Sequence, residues 1–79
     1  MQVQIQYFAV LREQAGRAEE RRQTSAATPA ELYEEVREAH GLALPRSMLR
    51  VAINDEFSAW SARLCEGDRV VFIPPVAGG

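Results

Sequence analysis

Val70-Val71-Phe72-Ile73-Pro74-Pro75-Val76-Ala77-Gly78-Gly79 is the stretch that decides the reading of this chain. Apolar residues on both faces, from Arg69 to Ile73, describe a strand covered on both sides, as strands in the middle of a sheet are. Pro74-Pro75 then ends the ladder, because proline has no N–H to donate. Gly78 and Gly79 lack a Cβ and accept nearly any backbone angle, so a tail made of them can enter a channel too narrow for ordinary residues. Closing glycines usually mean a fraying end. Behind an apolar strand and a proline pair they read instead as a working terminus.

Working outward from that strand, Glu66-Gly67-Asp68 is a turn that feeds it. Leu49, Val51 and Ile53 alternate with Arg50, Ala52 and Asn54, and Asn54-Asp55 supplies turn chemistry before Glu56 and Phe57, which predicts a hairpin. Trp60 and Leu64 read as core fillers in an irregular or short helical segment. Thr28-Pro29-Ala30-Glu31 is the clearest local signal, with Thr28 as N-cap, Pro29 at the first helical position and Glu31 completing a capping box. Leu32, Tyr33, Val36, Ala39 and His40 form one stripe at three- and four-residue intervals, and Gly41 ends the helix in a left-handed turn. Leu42 to Ser47 reads as a connection.

At the other end, Gln2, Gln4 and Gln6 alternate with Val3, Ile5 and Tyr7, the pattern of a half-buried strand. Phe8 falls on the glutamine face, which makes it a candidate contact residue. Leu11 to Gly16 reads as a loop, and Arg17 to Thr24 as a charged edge strand. The element order is strand, strand, helix, strand, short strand, strand. One helix covers one face of a small sheet, so the other face keeps apolar side chains in water, a sign of a partner surface. By parity Phe8 belongs there, together with either Val71 and Ile73 or Val70 and Phe72.

Composition narrows the function classes. Seventy-nine residues, 47% hydrophobic and 25% charged, make one small globular domain in which a multi-part active site would be strained. A net charge of −2 with scattered arginines offers no footprint for nucleic acid. No stretch is long and apolar enough for a membrane span or a secretory signal, and the expected compartment is the cytoplasm. Cys65 has no disulfide partner and no neighbours at metal-ligand spacing, and reads as a small packed side chain. His40 reads as structural at a helix C-terminus, and the pairs Glu19-Glu20 and Glu34-Glu35 as solvated. All nine basic residues are Arg, so the N-terminus is the single primary amine that an activated carboxyl could acylate on this molecule.

The order of elements resembles the β-grasp fold shared by ubiquitin and the bacterial sulfur carriers. Tyr7-Phe8-Ala9 with Leu11-Arg12-Glu13, then Val51 to Asn54, then Gly67-Asp68-Arg69-Val70 and Phe72 to Gly79 resemble the small subunit of molybdopterin synthase. The glycine pair alone is shared with the thiamine-pathway carrier and with ubiquitin-like modifiers; the aromatic-apolar-Pro-Pro-Val run and the N-terminal motif are more selective. The resemblance implies an α+β fold, a mixed sheet packed on one main helix, with residues 1–75 as the β-grasp domain and 76–79 as a flexible reactive tail.

The resemblance also implies a chemistry. A carboxylate is a poor electrophile, so Gly79 would be adenylated by a separate activating enzyme that uses ATP and Mg²⁺. A sulfur donor would then displace AMP to leave a thiocarboxylate. This chain would bind no cofactor or metal and would not be catalytic alone. It would donate sulfur to a cyclic pyranopterin precursor held by the large synthase subunit, in an expected heterotetramer. Val76, Ala77 and Gly78 would insert the tail. Phe8, Arg12, Phe57, Ile73, Pro74 and Pro75 would face the partner, and Ile73 on the Phe8 face leaves Val70 and Phe72 inward. Three alternatives stay open: a carrier for thiamine or another thio-metabolite, a ubiquitin-like protein modifier, and an interaction module with an inert tail.

Overall fold

Alternation in Gln2–Tyr7 forms the first strand, β1, with Val3, Ile5 and Tyr7 at most 1% exposed. The computed structural model describes residues 1–75. The expected tail, 76–79, lies outside the described residues. After β1 come helix α1 (Ala9–Ala15), β2 (Glu19–Gln23), helix α2 (Pro29–His40), a 3₁₀ turn at Arg46–Met48, β3 (Arg50–Ile53), β4 (Glu56–Ser58) and β5 (Arg69–Ile73). The strands form one five-stranded mixed sheet in the order β2-β1-β5-β3-β4. The doubly apolar β5 occupies the centre, parallel to β1 and antiparallel to β3. Charged β2 and short β4 take the two edges, where charged side chains and brevity discourage further pairing.

α2 packs on one face of this sheet. Thr28 Oγ1 accepts the Glu31 amide at 3.2 Å, and Glu31 reaches back one residue beyond the cap, to the Ala27 amide at 2.7 Å. Gly41 closes the helix in the left-handed region, φ 68. Leu32, Tyr33 and Val36 meet Ile5, Val51, Val70 and Phe72 in the core, and Trp60 stacks on Phe72 at a ring distance of 6.0 Å and an 8° interplanar angle. The Tyr33 hydroxyl is not stranded there; it donates to the Leu44 carbonyl at 2.6 Å. The hairpin turn holds Asn54 and Asp55 at φ 51 and 73, the paired positive angles of a two-residue hairpin.

Four sequence expectations are corrected. Leu11 to Gly16 is not a loop: it lies in α1 and its C-cap, with Leu11 fully buried and Gly16 at φ 75 receiving the chain. Ala39 is exposed, while Val36 is buried and His40 half-buried on the stripe of α2. Cys65 is exposed rather than packed. Glu20 is not solvated; its side chain is 7% exposed.

The burial of Glu20 has a clear physical basis. Its Oε1 accepts the Tyr7 hydroxyl at 2.7 Å and stands 2.8 Å from His40 Nε2, while Oε2 accepts Arg22 Nη1 at 3.0 Å. Arg22 also pairs with Glu35, which accepts the Thr24 hydroxyl at 2.7 Å. The cluster ties edge strand β2 to the C-terminal half of α2. His40 is therefore structural through an acid partner and the edge of the Tyr7 ring, 5.9 Å away.

Candidate functional site

The face of the sheet opposite α2 is built by register. Parallel pairing sets Gln6 beside Val71, antiparallel pairing sets Val71 beside Ala52, and the hairpin sets Ala52 beside Phe57. Cα partners share a face, so Gln6, Val71, Ala52 and Phe57 form one row across four strands. Two residue pairs further along, on the same face, Ile73 stands opposite Arg50. The complementary row, Tyr7, Phe72 and Val51, points into the core. This resolves the parity choice: Val71 and Ile73 share the outer face with Phe8, and Val70 and Phe72 are fully buried.

Phe8, at 44% exposure, and Phe57, at 68%, stand out from this face. Between them lies a depression of about 270 Å³ lined by Gln6, Phe8, Ala52, Asp55, Phe57, Val71 and Ile73. Val71 and Ala52, each under a tenth exposed, form its floor. The Arg50 guanidinium sits 5.0 Å above the Phe57 ring and holds that side chain on the rim. A second and larger depression, about 520 Å³, continues past the end of β5 and is lined by Phe8, Ala9, Val10, Glu13, Ile73, Pro74 and Pro75. Pro74 is buried and Pro75 exposed. Phe8 and Ile73 belong to both depressions, so the apolar surface is continuous from Phe57 to the point where the chain leaves the sheet.

α1 shapes this end of the molecule. Ala9 has φ 50, a left-handed conformation that turns the chain out of β1 and leaves Phe8 extended, φ −122 and ψ 153, at the start of the helix. Sequence reasoning missed Ala9, Val10 and Glu13 as wall residues; it read Leu11 to Gly16 as a loop and assigned no helix to this segment. Arg12, expected beside the same surface, is exposed on α1 and lines neither depression. Phe57, Phe8, Ile73, Pro74 and Pro75 are brought together. Val76, Ala77, Gly78 and Gly79 lie outside the described residues.

The electrostatics of this face are plain. Asp55 pairs with Arg69, and no group of three or more metal-ligating side chains occurs among the described residues. The groups with shifted ionisation are elsewhere, in the Tyr7–Glu20–Arg22–Glu35 cluster and at Tyr33, whose hydroxyl is pushed up by burial. Burial raises the Glu20 carboxyl, but hydrogen bonds from Tyr7, His40 and Arg22 outweigh it and hold the group below its ordinary value. Burial likewise raises Glu35 and its bonds from Arg22 and Thr24 more than reverse that. The Tyr7 hydroxyl is pushed up, first by burial and then by its bond to Glu20. The face can therefore bind an apolar partner, and it carries no assembled acid–base machinery among the described residues.

A family model matches residues 5–79, nearly the whole chain, and it is that of the ThiS family. The chain belongs to the ThiS family. Solved structures agree with that placement. SAMP1, the small archaeal modifier protein 1 of Haloferax volcanii, is 26% identical with a TM-score of 0.82, and each chain covers all of the other. A putative molybdopterin converting factor subunit 1 from Pyrococcus furiosus is 28% identical, TM-score 0.78, with 96% of this chain and 99% of that one covered. The complex of subunits 1 and 2 of molybdopterin-converting factor from Helicobacter pylori contains a chain 25% identical, TM-score 0.70, with both chains fully covered. No curated protein sequence matches significantly. The fold of this ThiS-family chain is the ubiquitin-like β-grasp of the sulfur-carrier type, an α+β arrangement with two helices on a mixed sheet.

Proposed function

We propose that this chain is the sulfur-carrying small subunit of molybdopterin synthase, with residues 1–75 as the docking body and 76–79 as the reactive tail. The observation that carries the proposal is the continuous apolar surface from Phe57 through Phe8 and Ile73 to Pro75, placed where β5 ends and the chain runs on to Gly78-Gly79. A partner docked on that surface lies beside the end of β5, from which the sequence continues to Gly79. The likeness to molybdopterin converting factor subunit 1, once as part of a complex with subunit 2, supports a larger subunit as that partner.

The chemistry follows from Gly79. Its carboxylate attacks the α-phosphate of ATP on a separate activating enzyme, which supplies Mg²⁺; pyrophosphate leaves and an acyl adenylate forms. A sulfur nucleophile attacks the acyl carbon, the C–O bond to AMP breaks, and a thiocarboxylate results. In the complex, two such tails deliver sulfur to the pyranopterin precursor held by the large subunits of a heterotetramer. This chain supplies reach and aim, and the partners supply catalysis.

Intact-mass analysis of the protein purified from its own host tests the reading. A mass gain equal to sulfur replacing oxygen at Gly79, together with co-purification of a larger subunit that turns over a pterin precursor, is the expected result. A charged carrier that served thiamine synthesis would show the first without the second. The likeness to SAMP1 favours one further reading, a protein modifier, and covalent adducts of this chain on other proteins would establish it in place of the first.

A further inference from the structure

Past the Val51–Ser58 pair, the last of the β3–β4 hairpin, the two strands part. The gap between them is a groove of about 340 Å³ lined by Leu49, Arg50, Val51, Phe57, Ser58 and Trp60. Leu49 and Val51 are buried and give it an apolar floor, Ser58 and Trp60 are half-buried, and Arg50 and Phe57 stand exposed on its rim.

Two guanidinium groups frame this groove. Arg50 lies 5.0 Å from the centroid of the Phe57 ring, and Arg46, from the 3₁₀ turn, lies 5.8 Å from that of Trp60. Trp60 is itself stacked on the buried Phe72, so the ring beneath Arg46 is fixed to the core. Holding a guanidinium over a ring restricts the side chain without spending its N–H donors, which lie in its own plane. Arg22, Arg37 and Arg69 each have a carboxylate within ion-pair distance; among the described residues Arg46 and Arg50 have none. Glu56, the acid of β4, stands opposite Ile53 at the turn end of the hairpin and does not line the groove. In a chain of net charge −2, the groove is thus a local site of opposite sign with an apolar floor.

We propose that this groove binds an acidic segment of a partner protein. Two carboxylates of the segment accept hydrogen bonds from Arg46 and Arg50, and an apolar side chain carried between them rests on Leu49 and Val51. Arginine suits the task because its planar fork donates to a carboxylate at two points, which fixes direction as well as charge. An acidic protein segment is favoured over nucleic acid by the number of cations. A phosphate backbone is held by many positive charges along its path, and here two stand in a chain that is negative overall. Phe57 also lines the depression of the outer face, so the groove continues that surface around the β4 edge of the sheet. Binding here draws on no chemistry at Gly79 and stands or falls apart from the sulfur-carrier reading.

The probe is a blocked hexapeptide of alternating glutamate and leucine, titrated into the isotope-labelled full chain and followed by NMR. The expected result is a saturable shift of the Arg46 and Arg50 side-chain Nε–H signals and of the Ser58 and Trp60 amides. It should weaken in about 0.5 M salt, where exposed charges are screened, and be absent for the same peptide with lysine in place of glutamate. R46E and R50E should each weaken binding at least ~10-fold while keeping a dispersed spectrum, and R46K and R50K, which keep the charge and lose the fork, should fall in between. No saturable shift at low salt, shifts confined to Val71 and Ile73 on the outer face, or unchanged binding in both charge-reversal variants would overturn the proposal. So would a thymidine hexanucleotide that binds the same residues more tightly, since it would assign the groove to nucleic acid.

Discussion

Phe8 and Phe72 stand at the same end of neighbouring strands and on opposite faces, and cutting back either should have opposite consequences. Phe72 is fully buried against Tyr33 and Trp60. Truncating such a side chain costs about 3–5 kcal/mol. A domain of this size has a total stability near the lower end of about 5–15 kcal/mol, so Phe72→Ala should leave a largely unfolded protein in a urea titration. Phe8 is 44% exposed and lines both depressions. Phe8→Asp should shift the urea midpoint little, because exposed substitutions usually stay within about 0.5 kcal/mol. Its binding to the large subunit should fall by more than ~10-fold, the level expected of an aromatic anchor at an interface. Calorimetric titration measures the second effect; unfolding of Phe8→Asp to the extent of Phe72→Ala would place Phe8 in the core. The alternation around Gln6 made Phe8 legible in the sequence, because a half-buried strand fixes which face each residue takes. Glu20 was not legible. Its partners Tyr7, Arg22 and His40 come from two strands and a helix, and no local pattern records that convergence.

Within the elements, β2 and α2 are joined by those ionisable groups, and their shifts dictate a pH dependence. Glu20 and Glu35 are lowered in the folded state, so the unfolded chain binds more protons in acid. Their stabilisation is complete above the ordinary carboxyl value of 4.5 and is lost as pH falls through the depressed folded values. Tyr7 is raised, and its contribution is present below the ordinary value of 10.0 and is lost only in strong alkali. Thermal melts of Glu20→Gln should therefore show a shallower acid-side slope than wild type, and an unchanged slope would remove Glu20 from the account. α2 offers a simpler test: Thr28→Ala deletes the bond to the Glu31 amide and should cost about 1 kcal/mol in urea unfolding. That helix was legible because its cap, its proline and its closing glycine are all local signals. α1 was not. It has seven residues, no side-chain cap at Phe8 and a single fully buried residue, Leu11, so periodicity had nothing to count; Gly16 at its end was the available sign.

At the scale of the whole molecule, the arrangement separates the buried core from the exposed apolar face. The core cluster is drawn from residues between Val3 and Phe72, sandwiched between α2 and the inner face of the sheet. The outer face and the exit of β5 carry the exposed apolar side chains Phe8 and Phe57 and both depressions instead. The sheet order itself was partly legible, since a strand apolar on both faces must be central; which strands flank it is a matter of long-range pairing that the sequence does not state. A consequence follows for the end of the chain. If Gly79 carries the electrophile, a single residue appended after it moves the carboxyl away from the position that the activating enzyme reads and places a side chain where the channel admits none. Among the described residues the core cluster ends at Phe72, and the thermal midpoint of a chain extended by one alanine should match wild type within error. Its sulfur mass gain in the native host should be abolished, and its sulfur transfer to the pterin precursor should fall at least ~100-fold, as expected when a reacting group is misplaced. Retained transfer in the extended chain would show that the reactive group is not the carboxyl of Gly79, whereas a lowered thermal midpoint would show that the terminus belongs to the folded core.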